Sequence, residues 1–109
     1  MTEPRTFTDN AAARRYELAV EGGVVVATYN LVDGGVMITE TLTPVGLEGK
    51  GHASALAGYV LADIEARGLK ILPVCPFFAD WLKRHPEHAG TVHPTYRQIL
   101  GLQAPSASD

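Results

Sequence analysis

From about Gly51 the period of the apolar residues changes along this chain, and that change limits the folds open to it. Before Gly51, β-rich runs at residues 14–20, 24–31 and 36–43 are separated by Glu21-Gly22-Gly23 and Asp33-Gly34-Gly35, both hairpin-turn signals. In the first run Tyr16, Leu18 and Val20 fall on one face, the two-residue alternation of a half-buried strand. Three consecutive strands with tight turns read as an antiparallel meander. Pro44, which has no amide donor, should end or bulge the third strand.

After Gly51 the repeat is helical. Leu56, Val60 and Ile64 recur every four residues with Ala53 and Ala57 beside them, while Asp63, Glu65 and Arg67 lie mostly opposite. Gly68 is the expected left-handed cap. Gly58, inside the helix, costs about 1 kcal/mol relative to alanine, and close packing of helix on sheet is the reading given to it. Residues 69–75 form a fourth apolar strand, parallel to the third if the crossover is right-handed, with Pro73 placing it at an edge or a bulge. Pro76 opens a second helix reaching about Arg84, with Phe77, Phe78, Trp81 and Leu82 read as core, and Pro86 stops it. Residues 95–102 suit a short terminal helix. The expected fold is therefore α+β: an antiparallel meander, a glycine-led helix, a parallel fourth strand and a second helix. One domain at 14–102 is expected between a loose arm at 1–13 and a flexible tail at 103–109.

The turn before the first helix is chemically unusual. A helix leaves its first amides without acceptors, and a Ser, Thr, Asp or Asn at the N-cap commonly supplies one. The cap positions here are Gly49, Lys50 and Gly51, whose side chains offer no acceptor. Amides left open in this way attract an anion, with the positive end of the helix dipole behind them. Punctuation by glycine is the plainer reading of the same residues.

The rest of the chain narrows the partner. A formal net charge of −3 over 109 residues, without a basic run, argues against nucleic acid. A small phosphorylated ligand suits an acidic protein better. Cys75 is the sole cysteine, no apolar run reaches membrane-spanning length, and residues 1–13 lack a signal-peptide layout, so a cytoplasmic protein without membrane attachment is expected. His85, His88 and His93 lie close together, but Pro86 breaks the helix that would align the first two and Cys75 has no partner cysteine, so no metal site is expected. His85 is instead placed near the negative end of the preceding helix.

The order of elements, together with Glu48-Gly49-Lys50-Gly51-His52-Ala53 at the strand-to-helix turn, resembles the GNAT superfamily of acyl-CoA-dependent N-acetyltransferases and its Q/R-x-x-G-x-G/A pattern. The similarity is closest to the compact single-domain branch, through Leu72-Pro73-Val74-Cys75-Pro76-Phe77 and Arg84-His85-Pro86-Glu87-His88, and covers roughly residues 14–92. Two departures stand out: Glu48 replaces the Gln or Arg of the pattern, and Glu40-Thr41-Leu42-Thr43-Pro44 stands where the branch often has H-T-E-V-P. The early helices that usually build the acceptor side are missing.

The resemblance implies acetyl-CoA as acyl donor and a primary amine as acceptor, on a monomer or homodimer. It implies that the main chain of Leu42 and Thr43 holds the pantetheine arm. Gly49, Lys50, Gly51, His52, Ala53 and Ser54 would bind pyrophosphate, while the fourth strand splays from the third near Cys75. Cys75 is then either an acyl-accepting nucleophile favoured by the following helix N-terminus or a small buried hydrophobe. Glu40 is either a base raised in pKa by half-burial or a solvent-facing strand residue. His52 contacts phosphate through its ring or faces solvent, and Lys83 and Arg84 are read as a solvated last turn or, alternatively, as contacts to the ribose phosphate of coenzyme A. A non-catalytic acyl-CoA binding or sensing module is the rival, favoured by Glu48 and by the departure from H-T-E-V-P.

Overall fold

The computed structural model describes residues 5–102. Strands β1 (Thr6–Asn10), β2 (Arg15–Val20), β3 (Gly23–Val32) and β4 (Gly35–Leu42) lead to helix α1 (His52–Ala66). Strand β5 (Lys70–Pro73), helix α2 (Pro76–Lys83), a 3-10 segment (Pro86–Thr91) and helix α3 (Pro94–Leu100) follow. The sheet order is β1-β2-β3-β4-β5, antiparallel throughout except for the parallel β4–β5 pair. The α+β architecture with a parallel crossover at its centre thus agrees with the sequence pattern. No helix among the described residues is long and apolar enough to cross a membrane.

One element departs from expectation. Residues 6–10 of the expected loose arm form β1, paired to β2 from Thr6↔Ala19 to Asn10↔Arg15, followed by a 3-10 turn at Ala11–Ala13. Aromatic stacking and a polar network hold this strand. Phe7 stacks on Tyr16 at 5.6 Å and on Tyr59 at 5.3 Å between ring centroids. Asp9 accepts from Tyr29 Oη at 2.6 Å and from Arg67 Nη2 at 2.6 Å, and Arg67 Nε also meets Asp63 Oδ2 at 3.1 Å. Residues 1–4 of the arm and the expected tail at 103–109 lie outside the described residues.

One face of the sheet carries the core. Tyr16 and Leu18 of β2, Val25, Ala27 and Tyr29 of β3, and Val36 and Ile38 of β4 are buried with Leu56, Val60, Leu61 and Ile64 of α1 and Phe78, Trp81 and Leu82 of α2. Each such aliphatic side chain contributes about 1.5–3 kcal/mol by leaving water. The intervening strand positions Arg15, Ala19, Val24 and Asn30 are exposed. Gly68, at φ +69°, ends α1 with paired bonds from Gly68 N to Glu65 O and Leu69 N to Ile64 O, the left-handed closure its position predicts. Gly58 is different. A Cβ built there meets no atom within 4 Å, so close packing on the sheet does not explain it.

A bulge sits in β4. Tyr29 pairs with Ile38 and Thr28 with Glu40, leaving Thr39 as the extra residue. Thr39 Oγ1 donates to the Thr28 carbonyl at 3.2 Å and lies 2.8 Å from Thr28 Oγ1. The irregularity falls well before Pro44, where the sequence suggests one.

Candidate active site

The loop between β4 and α1 is fixed by a single apolar side chain. Leu47 is buried against the Gly22-Gly23 hairpin turn, and its amide donates to the Pro44 carbonyl at 3.0 Å. Beyond it, Gly49 and Gly51 adopt φ of +78° and +80°, a region L-residues enter only at a cost. A Cβ at either position would meet nothing within 4 Å, so glycine serves the backbone conformation here. Gly51 is the N-cap of α1 and makes no side-chain capping bond. The first helical bond runs from Ala55 N to Gly51 O at 3.0 Å, leaving the Ala53 and Ser54 amides outside the ladder.

This helix start opens on a cleft of about 340 Å³ lined by Thr43, Leu47, Glu48, Gly49, Gly51, His52, Ala53, Ser54, Phe77 and Arg84. Six of the sequence-derived binding residues therefore share one cavity: Thr43, Gly49, Gly51, His52, Ala53 and Ser54. Lys50 and Leu42 are not among its lining residues, and Leu42 is 50% exposed. His52 is 3% exposed, which removes the solvent-facing alternative, and its Nδ1 accepts from Arg5 Nη2 at 3.2 Å. Arg84, for which the sequence left a solvated turn and a phosphate contact both open, lines the cleft from the far end of α2, and Phe77 does so from the helix start. Glu48 lines it too, so one acidic and one basic residue border the same space.

The strands part next to this cleft. Pairing of β4 with β5 ends at Ile38↔Pro73, followed by one bond from Cys75 N to Ile38 O at 2.9 Å. Pro73 lacks a donor, and the Val74 amide is spent locally on Leu72 O at 3.0 Å, so the ladder cannot continue. Past that point β4 continues to Leu42 paired with β3 only, and Cys75 is the N-cap residue of α2, without a side-chain capping bond. The thiol is 4% exposed, with Sγ 3.3 Å from Thr41 Oγ1. Thr41 escaped the sequence reading because the bulge that turns it toward Cys75 leaves no mark on composition.

Glu40 is exposed, paired across the sheet with Thr28, and it makes no side-chain hydrogen bond among the described residues. The half-buried setting expected for a base is thus not present: Glu40 and Leu42 point away from the face that carries Thr41 and Cys75. Near the C-terminus of α2, the His85 ring N–H donates from Nδ1 to Trp81 O at 2.7 Å, satisfying a helix-end carbonyl. Among the described residues, no group of three His, Cys, Asp or Glu side chains converges as a metal site.

A family model described as GCN5-related N-acetyl-transferase matches residues 15–91, from the start of β2 to the end of the 3-10 segment. The chain belongs to the GCN5-related N-acetyltransferase family. No curated protein matches it. Membership in that family brings an acyltransferase-type function.

Proposed function

We propose that the protein is an acetyl-CoA-dependent N-acetyltransferase acting on a primary amine. The observation that carries the reading is a cavity at the uncapped start of α1, bordered by Thr43 and Phe77, each two residues beyond Thr41 and Cys75 where β4 and β5 have separated. The donor's diphosphate suits the open amides of Ala53 and Ser54 and the left-handed turn at Gly49 to Gly51, with Arg84 supplying positive charge. Thr43 borders the path from these amides toward the strand gap, and the main chain of Leu42 and Thr43 takes the pantetheine arm. Lys50 adds a point charge at the rim. In the transfer a carbon–nitrogen bond forms at the acetyl carbonyl, the carbon–sulfur bond breaks, and the amine's proton is passed on as CoA leaves as its thiol.

One side-chain pair borders the strand gap. Cys75 with Thr41 lies on the helix side of the gap and is the residue assigned to accept acetyl where transfer is covalent. Glu40, exposed on the outer face, is not placed to take the proton of an amine attacking there, and in direct transfer that proton passes to water. Glu48 in the cleft wall favours the rival reading, an acyl-CoA binding module without turnover, because a carboxylate opposes a diphosphate.

Thermal unfolding with CoA and acetyl-CoA tests the first step. A ligand at a hundredfold its Kd adds about 2.7 kcal/mol to stability, and no shift at millimolar ligand would overturn both readings. CoA release across polyamines, amino acids and peptides then separates enzyme from binding module. A mass increase of one acetyl group on Cys75, lost in Cys75→Ala, identifies the covalent route.

A further inference from the structure

The segment Arg84-His85-Pro86-Glu87-His88 lies far along the chain from the glycine turn, yet its two histidine rings bear on Trp81, which bonds a residue of the cleft wall. Trp81 of α2 is 4% exposed, and its indole Nε1–H donates to Ser54 Oγ at 3.0 Å. Ser54 is the third residue of α1 and lines the cleft. A serine hydroxyl has one hydrogen and two lone pairs, whereas an indole can only donate. The bond from Trp81 therefore occupies a lone pair and leaves the Ser54 hydrogen to be given elsewhere.

The indole itself is held. The His85 ring stacks on it with centroids 3.8 Å apart and planes at 14°, and its Nδ1–H bond to the Trp81 carbonyl fixes that ring over its own helix end. The His88 ring lies 5.4 Å away at 30°. His88 Nδ1–H donates to Glu65 Oε2 at 2.6 Å, and Thr91 Oγ1–H donates to the same oxygen at 2.7 Å. The two histidines thus brace one indole from two anchors, the end of α2 and the surface of α1.

We propose that Trp81 is a positioning residue of the cofactor cleft: its N–H sets the Ser54 hydroxyl as a hydrogen-bond donor to a bound phosphate, with His85 and His88 bracing the indole. The inference rests on the CoA-binding reading above. It gives the His-Pro-Glu-His segment a role at a distance from the chemistry, with no metal and no direct contact to the ligand.

The test is a double-mutant cycle read by calorimetric Kd for CoA and for pantetheine, which lacks the phosphates. Ser54→Ala should weaken CoA about tenfold, the usual scale of a hydrogen bond to a charged group, and leave pantetheine unchanged. Trp81→Phe should weaken CoA at least threefold in the Ser54 protein and have no further effect in Ser54→Ala. A purely structural Trp81 would cost the same in both backgrounds, and that result overturns the proposal. Trp81 is the sole tryptophan of the chain, so its emission gives a second measurement that does not depend on how the Phe variant folds. CoA should shift the emission of the wild-type protein and leave that of Ser54→Ala unmoved. Calorimetric binding of CoA without any emission shift in the wild type also overturns the proposal. Absence of CoA binding by the wild type would instead overturn the functional reading beneath it.

Discussion

Alanine at two glycines of the same helix should move stability in opposite directions. Gly58 is interior to α1, has ordinary helical φ, and a Cβ added there meets no atom within 4 Å. It therefore bears the backbone-entropy cost of glycine with no packing return, and Gly58→Ala should stabilise by about 0.8–1 kcal/mol. At about 2.1 cal/mol/K of unfolding entropy per residue, a chain of roughly this length gains about 5 °C in Tm per kcal/mol, so the expected rise is about 4–5 °C. Gly51, also clear of neighbours, sits at φ +80°. Alanine there meets left-handed strain of about 1–2 kcal/mol, and Gly51→Ala should lower Tm by about 5–10 °C. Calorimetric melts of the three proteins decide it, with urea m-values confirming that the unfolded state is unchanged. Gly58→Ala melting at or below the wild-type temperature would refute the claim that this glycine bears an entropy cost with no packing return. Gly51→Ala melting with the wild type would refute the claim that backbone conformation demands this glycine.

Three further outcomes follow from single contacts. Gly35→Ala places a Cβ 2.6 Å from Leu72 Cδ1 and 3.1 Å from the Lys70 carbonyl, where β4 and β5 begin to pair, and should cost about 1–3 kcal/mol in urea unfolding. The Tyr29 hydroxyl is pushed up to about 12 from 10.0, by burial first and then by its hydrogen bond to the Asp9 carboxylate. Its contribution is therefore complete below pH 10 and is lost as pH rises toward 12, so alkaline unfolding in that window should be blunted by Tyr29→Phe. Arg84→Ala should weaken CoA several-fold and pantetheine not at all, and equal loss for both ligands would remove Arg84 from the phosphate end of the cleft.

The parts of the fold that sequence revealed are those where one residue type has one geometric meaning. Gly34-Gly35 between β-branched runs can hardly be other than a hairpin, and the four-residue repeat from Leu56 to Ile64 requires a helix with one buried side. Strand β1 was concealed because Asp9 and Asn10 are poor strand formers, and its stability comes from Tyr29, Arg67 and Phe7 contacts made across the sheet. Arg84 stayed ambiguous in the sequence for another reason: a basic residue in the last turn of a helix suits the dipole as well as it suits a phosphate, and only the path of α2 beside α1 brings it to the cleft. Gly58 misled because glycine in a helix suggests contact, whereas here the space beside it is open.

The bulge at Thr39 has the widest consequence for the site. In an unbroken strand, alternation would keep Glu40 on the same side as Ile38, buried beneath the helices. One extra residue reverses that order, so Thr41 meets the Cys75 thiol while Glu40 and Leu42 turn outward. Thr39 and Thr28 hold the extra residue in place by their mutual side-chain bonds. The thiol and the carboxylate thus occupy opposite faces of one strand, joined only where β5 has already turned away. In the proposed transfer donor and thiol therefore meet on the helix side, where the amine must also arrive to reach the acetyl carbon. Glu40, on the open face, is out of reach of that encounter, and Glu40→Gln should leave the rate of CoA release unchanged; a large loss would refute this placement of the acetyl end.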